Sequence, residues 1–379
     1  MSLIRATALG LFLCASPAAA QDAVPLQTFL EQTLAAAHDK DKLPAAAALV
    51  QIDGKIVAEA AIGARAIGRP ERVTTGDRWH LGSDTKAFTS TMIARLVEKG
   101  VMRFEDTLAE SFPAYAQQMD PAYRSVTVTQ LLNHTSGLPT LTDDKDLPAV
   151  LALIQGEKDL RAQRLRVAHK FLAEPPASKI GEYEYSNLGF MIAGAIAERH
   201  TGKSWEDLIR TEIFRPLGIK NAGFGNPAPP GKASQPWGHK EVAGALVALD
   251  PADPGSDNPA VIGPAGTISI SLRDWMLFAQ DHLDGVNGRG KLLKTATYRI
   301  LHTPVTERYT YGWGVQLGPD GAPLLLTHAG SNGFWVADIR IMPKHNIITL
   351  VVSNAGNEAA NQAIVHIGKP LKDRLKPFE

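Results

Sequence analysis

A single cysteine, Cys14, stands among the 379 residues. It falls inside an N-terminal stretch that reads as an export signal: Arg5 supplies an early positive charge, residues 6–15 are apolar, and Ala18-Ala19-Ala20 before Gln21 suits signal peptidase. Leu11-Phe12-Leu13 precede the cysteine where lipoprotein processing needs a small residue, so soluble export to the periplasm or medium of a bacterium is expected. With residues 1–20 removed as a signal peptide no thiol remains. Disulfides, thiolate metal sites and a cysteine nucleophile are thereby excluded together.

An excess of charge is missing as well. Lys plus Arg and Asp plus Glu each number 39, which gives no field favouring nucleic acid or an anionic membrane. No second apolar run approaches spanning length, so no stable membrane anchor is expected after signal cleavage. The chain contains no His-Glu-x-x-His, no phosphate-binding glycine loop with Lys-Ser or Lys-Thr, and no Gly-x-Ser-x-Gly elbow. Metalloprotease, nucleotide-binding and α/β-hydrolase readings lack support, and neither cofactor nor metal is expected.

What is present is a composition 44% hydrophobic, ample for a large core in one big or two interlocked domains. Residues 46–52 and 55–62 are β-suited runs joined by Asp53-Gly54, the dipeptide of a type I′ hairpin. Strand-like runs return at residues 311–317, 323–328, 334–342 and 347–353, and residues 357–375 read as a helix. The middle differs: residues 127–130 have capping-box spacing, residues 188–200 are apolar almost all round, and Ser204 opens another amphipathic stretch. The expected fold class is α+β, with a central antiparallel sheet of about five strands flanked by helices. Residues 21–104 and 226–379 would form that part, and residues 105–225 a mostly helical inserted domain. Residues 226–264, rich in Pro, Gly and Asn, form a long irregular segment that reads equally as part of a site or as a plain surface excursion.

Three short patterns carry chemistry. In Leu81-Gly82-Ser83-Asp84-Thr85-Lys86, Ser83 is followed by Lys86 one helical turn on, so an amine can reach the hydroxyl. Burial and the helix dipole would lower the lysine pKa, which suits a base. Tyr185-Ser186-Asn187 precedes the apolar helix, where Asn187 also reads as a cap. His328-Ala329-Gly330-Ser331 ends a strand, and there its backbone N–H groups would line a sheet edge facing a pocket. The similar His200-Thr201-Gly202 reads instead as an ordinary helix C-terminus.

In this order and on these elements, the three patterns resemble the serine β-lactamase-like superfamily of class C β-lactamases, DD-carboxypeptidases, D-aminopeptidases and family VIII esterases. Leu131-Leu132-Asn133-His134-Thr135-Ser136-Gly137-Leu138, Gln235-Pro236-Trp237-Gly238-His239 and Pro264-Ala265-Gly266 add to the likeness. The resemblance implies that Ser83 is an acylated nucleophile, Lys86 its proton-handling partner and Tyr185 a general acid or base. Asn187, His328 and Gly330 would bind substrate, and the N–H groups of Ser83 and Ser331 would form an oxyanion hole. Beside the lysine ammonium, Tyr185 would ionise more readily than a free phenol. His328 replaces the lysine many relatives carry and would meet a substrate carboxylate only in part charged. Asp84 reads as an N-terminal helix stabiliser, and Trp237, Trp313 and Trp335 as core residues that flank the site. The implied partner is a small-molecule or short-peptide substrate, an ester, an amide or a D-amino-acid peptide, with cell-wall fragments among the candidates. A β-lactam hydrolase and a penicillin-binding or peptidoglycan sensor with little turnover are the alternatives.

Overall fold

The structure, a computed structural model, describes residues 24–141, 146–307 and 309–376. The expected signal at residues 1–20, with Cys14, lies outside the described residues. Twelve strands are described: β1 Ala45–Ile52, β2 Lys55–Gly63, β3 Arg78–His80, β4 Ala222–Phe224, β5 His239–Val242, β6 Ala245–Ala248, β7 Ile268–Ser271, β8 Tyr309–Thr310, β9 Trp313–Leu317, β10 Pro323–Ser331, β11 Val336–Met342 and β12 Ile347–Ser353.

The main sheet is antiparallel and runs β2-β1-β12-β11-β10-β9-β8. It has seven strands among the described residues, against the about five expected; the two-residue β8 lies outside every strand-like run and extends the edge beyond β9. Asp53 and Gly54 both take positive φ, 50° and 73°, as a type I′ turn between β1 and β2 requires.

β1 shows how the sheet is covered. Ala45, Ala47 and Leu49 join one apolar core, while Ala46, Ala48 and Val50 join another. The two-residue period of the strand thus sorts its side chains between two helical layers, and both faces are buried. On one side lie the Leu26–Asp41 and Glu358–Leu375 helices through Leu30, Leu34, Ala363 and Ile367. On the other lie the Leu272–Val286 and Thr85–Glu98 helices through Trp275, Phe278, Phe88 and Met92.

Beyond the sheet, residues 108–217 are helical in short pieces among the described residues. The Thr127 capping box is present: Thr127 Oγ1 accepts from the Gln130 N–H, and Gln130 Oε1 accepts from the Thr127 N–H. The Asn187–Thr201 helix is buried along most of its length and ends on Gly202 at φ 70°. Fully buried Arg164 pairs with Glu198 and Glu206 and donates to the carbonyls of Ala260 and Val261, each at 3.0 Å. That guanidinium fastens the helical layer to the segment entering Gly263–Gly266.

Two features went unforeseen. β3, β7 and β4 form a second small sheet, and β5 with β6 forms a hairpin inside the irregular 226–264 segment. Strands of three or four residues are too short for alternation to register in a sequence. Trp237, Trp313 and Trp335 are buried, as core residues would be.

Leu350 is fully buried in β12 at the centre of the sheet. Leu350→Ala is expected to destabilise the fold by about 2–5 kcal/mol, read as a shift in the urea unfolding midpoint at unchanged m-value.

Candidate active site

Ser83 sits in a 3-10 turn, Gly82–Asp84, that runs into the Thr85–Glu98 helix. Gly82 has φ +50°, and a Cβ on it would lie 2.6 Å from main-chain atoms of Ser331. Gly330 faces back, where a Cβ would lie 2.0 Å from the Leu81 carbonyl oxygen. Two glycines therefore let the end of β10 and the serine turn touch main chain to main chain. β10 pairs with β11 through Ser331 but with β9 only as far as Thr327. Residues 329–331 thus keep one edge free of a strand partner, and the serine turn packs against this stretch.

One turn beyond Ser83, Lys86 is fully buried. Its Nζ lies 3.0 Å from Ser83 Oγ and donates to Asn187 Oδ1 at 2.7 Å and to the Ala265 carbonyl at 2.8 Å. Tyr185 Oη donates to Ser83 Oγ at 2.7 Å. Lys86, Tyr185 and Ser83 are therefore brought together, with the lysine amine also over the Tyr185 ring, 4.8 Å from its centroid.

The Tyr185 backbone is held by the loop that follows residue 133. Gly181 donates to Thr135 O at 2.8 Å, Glu184 to His134 O at 2.7 Å and Asn187 to Thr140 O at 2.9 Å. Ser186, not Asn187, caps the helix: its Oγ accepts from Gly189 N–H. Buried His134 supports the phenol from the side, its ring centroid 4.4 Å from that of Tyr185. His134 Nδ1 accepts from Ser186 N–H at 3.0 Å, so Nε2 carries the proton and faces Tyr309 Oη at 3.0 Å. Burial, the leading cause, pushes the His134 pKa well below its ordinary value, with Lys86 and His328 acting the same way.

Burial also sets the order of the reactive groups. It drives the Lys86 pKa well below the ordinary lysine value, against the pull of Asp84, and it drives the Tyr185 phenol upward despite the hydrogen bond to Ser83. These shifts run against the expectation that the lysine would ionise the tyrosine: of the two groups, the amine is the easier to deprotonate. Asn187 Oδ1 and the Ala265 carbonyl can only accept from Nζ, whereas the Ser83 hydroxyl can accept from it or, with the amine neutral, donate to it.

Four residues sit differently from their expected places. Asn187 spends its carbonyl oxygen on Lys86 and its Nδ2 on Leu141 O at 3.3 Å. Gly330 turns toward the serine turn and provides close approach. Buried His328 places Nδ1 3.1 Å from Asp84 Oδ1, out of line for a full hydrogen bond, so this ring nitrogen faces a carboxylate of the protein itself. Asp84, read as a helix stabiliser, makes no capping hydrogen bond and is buried against His328. Its carboxyl is pushed up to about 6, chiefly by burial, with His328 and Lys86 opposing and Asp338 reinforcing. Ser331 is exposed immediately beyond Gly330.

His134, Ala265 and Tyr309 went unassigned in the sequence, although His134 and Ala265 lie in stretches that stood out there. Among the described residues, no group of three or more His, Cys, Asp or Glu side chains is placed to hold a metal ion. Nor is any helix among them long and apolar enough to cross a membrane.

A family profile described as Beta-lactamase matches residues 30–367. Penicillin-binding protein 4 of Amycolatopsis lactamdurans is 28% identical over 328 residues, covering 83% of this chain and 81% of that protein. Protein flp of Staphylococcus aureus is 22% identical over 353 residues, and the match spans 91% of this chain but only 66% of flp. A D-stereospecific amidohydrolase from Streptomyces sp. superposes with a TM-score of 0.69 at 22% identity, covering 89% of this chain and 97% of that one. A class C beta lactamase from Rhodobacter sphaeroides does so with a TM-score of 0.69 at 18% identity, over 91% and 99%.

The Asp84 carboxyl gives a signed pH dependence. Because its pKa is raised from 3.8 to about 6 on folding, the native state binds a proton that the unfolded chain has released, and stability falls as pH rises across that window. Asp84→Asn is expected to remove a fall of about 2–3 kcal/mol, seen as urea midpoints that converge or cross between acid and neutral pH. Parallel curves for the two proteins would mean that Asp84 is ionised throughout.

Proposed function

The chain belongs to the Beta-lactamase family, and from that premise we propose that it is an exported serine hydrolase that cleaves a small ester, amide or D-amino-acid peptide through an acyl-Ser83 intermediate. The observation that carries this reading is a hydroxyl held between an amine at 3.0 Å and a phenol at 2.7 Å. A binding module needs no such proton relay.

In this reading, Ser83 Oγ attacks the substrate carbonyl carbon while its proton passes to the neutral Lys86 amine. The carbonyl oxygen gains negative charge and takes hydrogen bonds from the main-chain N–H groups of Ser83 and Ser331, an arrangement worth about 3 kcal/mol per donor in comparable enzymes. Collapse breaks the bond to the leaving alcohol or amine, which receives a proton from Tyr185 Oη. Water then attacks the Ser83 ester, giving up a proton to the same base pair, and releases the acid and the free serine. Asn187 and the Ala265 carbonyl hold the amine aimed at Ser83.

Substrate preference follows from His328. Its Nδ1 is matched to Asp84, which favours a neutral ester or amide over a substrate that must be gripped by a free carboxylate. A β-lactam hydrolase is therefore the weaker alternative. The penicillin-binding sensor corresponds to the same acylation with slow hydrolysis.

A panel of p-nitrophenyl esters, D-amino-acid amides, D-alanyl-D-alanine peptides and nitrocefin tests the reading. Ser83→Ala is expected to abolish turnover, and Tyr185→Phe to lower it by about 10²-fold or more. Undiminished turnover by Ser83→Ala would refute the mechanism, whereas a fluorescent penicillin adduct lasting hours without turnover of any substrate would assign the protein as a sensor.

The base is tested separately by pH. Since the neutral amine is the active form and its pKa is depressed, kcat/KM should already have risen to its plateau well below the ordinary lysine range. An acid limb centred near that range would reject Lys86 as the proton acceptor.

A further inference from the structure

The irregular 226–264 segment delivers one carboxylate to the back of the site. Asp257 Oδ1 accepts from Asn332 Nδ2 at 2.8 Å and from the Asn258 N–H at 2.6 Å, and it lies 3.1 Å from His80 Nε2. Its side chain is about nine-tenths buried, at 11% exposure, and that of His80 is fully buried at 0%. These contacts lead to both halves of the expected oxyanion hole.

The first path runs through His80. Its Nδ1 accepts from the Gly82 N–H at 3.1 Å, so the ring proton sits on Nε2, on the side of Asp257, where the 3.1 Å contact is out of line for a full hydrogen bond. The ring is further held by stacking on Trp335, centroids 5.2 Å apart. Gly82 is the residue before Ser83, so the carboxylate fixes, through one imidazole, the peptide that leads into the Ser83 N–H.

The second path runs through Asn332, the residue after Ser331. With its amide nitrogen committed to Asp257, its Oδ1 accepts from the N–H groups of Phe334 and Trp335, each at 3.1 Å. Ser331 Oγ accepts from Gly333 N–H at 3.0 Å in the same turn. The neighbour of Asp257, Asn258, donates to the Gly266 carbonyl at 2.9 Å, next to the Ala265 carbonyl that receives Lys86.

We propose that Asp257 is the positioning residue of the oxyanion hole, setting the Ser83 N–H through His80 and the Ser331 N–H through Asn332. The proposal rests on the reading of Ser83 as the nucleophile. It touches neither substrate nor reacting atoms. Its effect should therefore appear where negative charge develops on the substrate oxygen and not in ground-state binding.

Asp257→Ala removes the one oxygen, Oδ1, that faces both His80 and Asn332. With p-nitrophenyl butyrate, kcat is expected to fall about 10- to 100-fold, less than for outright loss of a donor, with KM unchanged. Affinity for phenylboronic acid, whose tetrahedral adduct places an oxygen in the hole, should fall by a similar factor. Asn332→Ala should give the same pattern, and the double variant should lose little more than either alone. Unchanged kcat in both folded single variants, or a loss residing in KM with boronic acid affinity intact, would overturn the role of Asp257. Wild type that is not labelled on Ser83 by a fluorophosphonate probe would instead overturn the hydrolase reading itself. Should Asp257→Ala fail to fold by circular dichroism, Asn332→Ala decides alone.

Discussion

The site depends on the burial of one amine. Water would favour the protonated form of Lys86 and would leave its contacts to Ser83, Asn187 and the Ala265 carbonyl competing with solvent. A fully buried lysine is costly unless its hydrogen bonds are met, and here three segments distant in sequence meet them. The Thr85–Glu98 helix brings the amine, the Asn187–Thr201 helix brings an amide oxygen, and the Gly263–Gly266 turn brings a carbonyl. The packing that buries Phe88, Met92 and Phe190 is thus also what tunes the chemistry.

Around that amine, charge is arranged in buried pairs. Asp84 faces His328, Arg340 donates to Asp338 at 2.8 Å, and Arg164 answers Glu198 and Glu206. Removing one member of such a pair strands the other in a low-dielectric interior, so each pair fixes its segments in one geometry. Arg164 fixes residues 260 and 261, and Thr89 Oγ1 donates to the Pro264 carbonyl at 2.7 Å while accepting from Trp205 Nε1 at 3.0 Å. The carbonyl that receives Lys86 is held by this chain of contacts.

Much of this was legible in the chain. The β1–β2 hairpin could be read because Asp53-Gly54 has one comfortable turn, and the Thr127 capping box because its spacing is local. Ser83, Lys86 and Tyr185 stood out because their patterns are short and ordered. What escaped was whatever depends on distant segments meeting. The partner of Asp84 lies 244 positions away at His328, and no spacing rule joins them. The opposite pKa shifts of Lys86 and Tyr185 are not legible because sequence shows that two groups are near but not how far water is excluded from each. His134 and the Ala265 carbonyl act through ring stacking and a backbone oxygen, neither of which leaves a residue-specific pattern.

The placement of β1 between β2 and β12 bears on how the molecule is made. The β1–β2 hairpin can form early by local pairing, yet the other edge of β1 has no neighbour until residues 347–353 have been synthesised. Closing the sheet therefore joins strands from opposite ends of the polypeptide across nearly 300 intervening residues. Until that closure the alanine-rich first strand presents an open, apolar edge, the kind of surface on which incompletely folded chains associate.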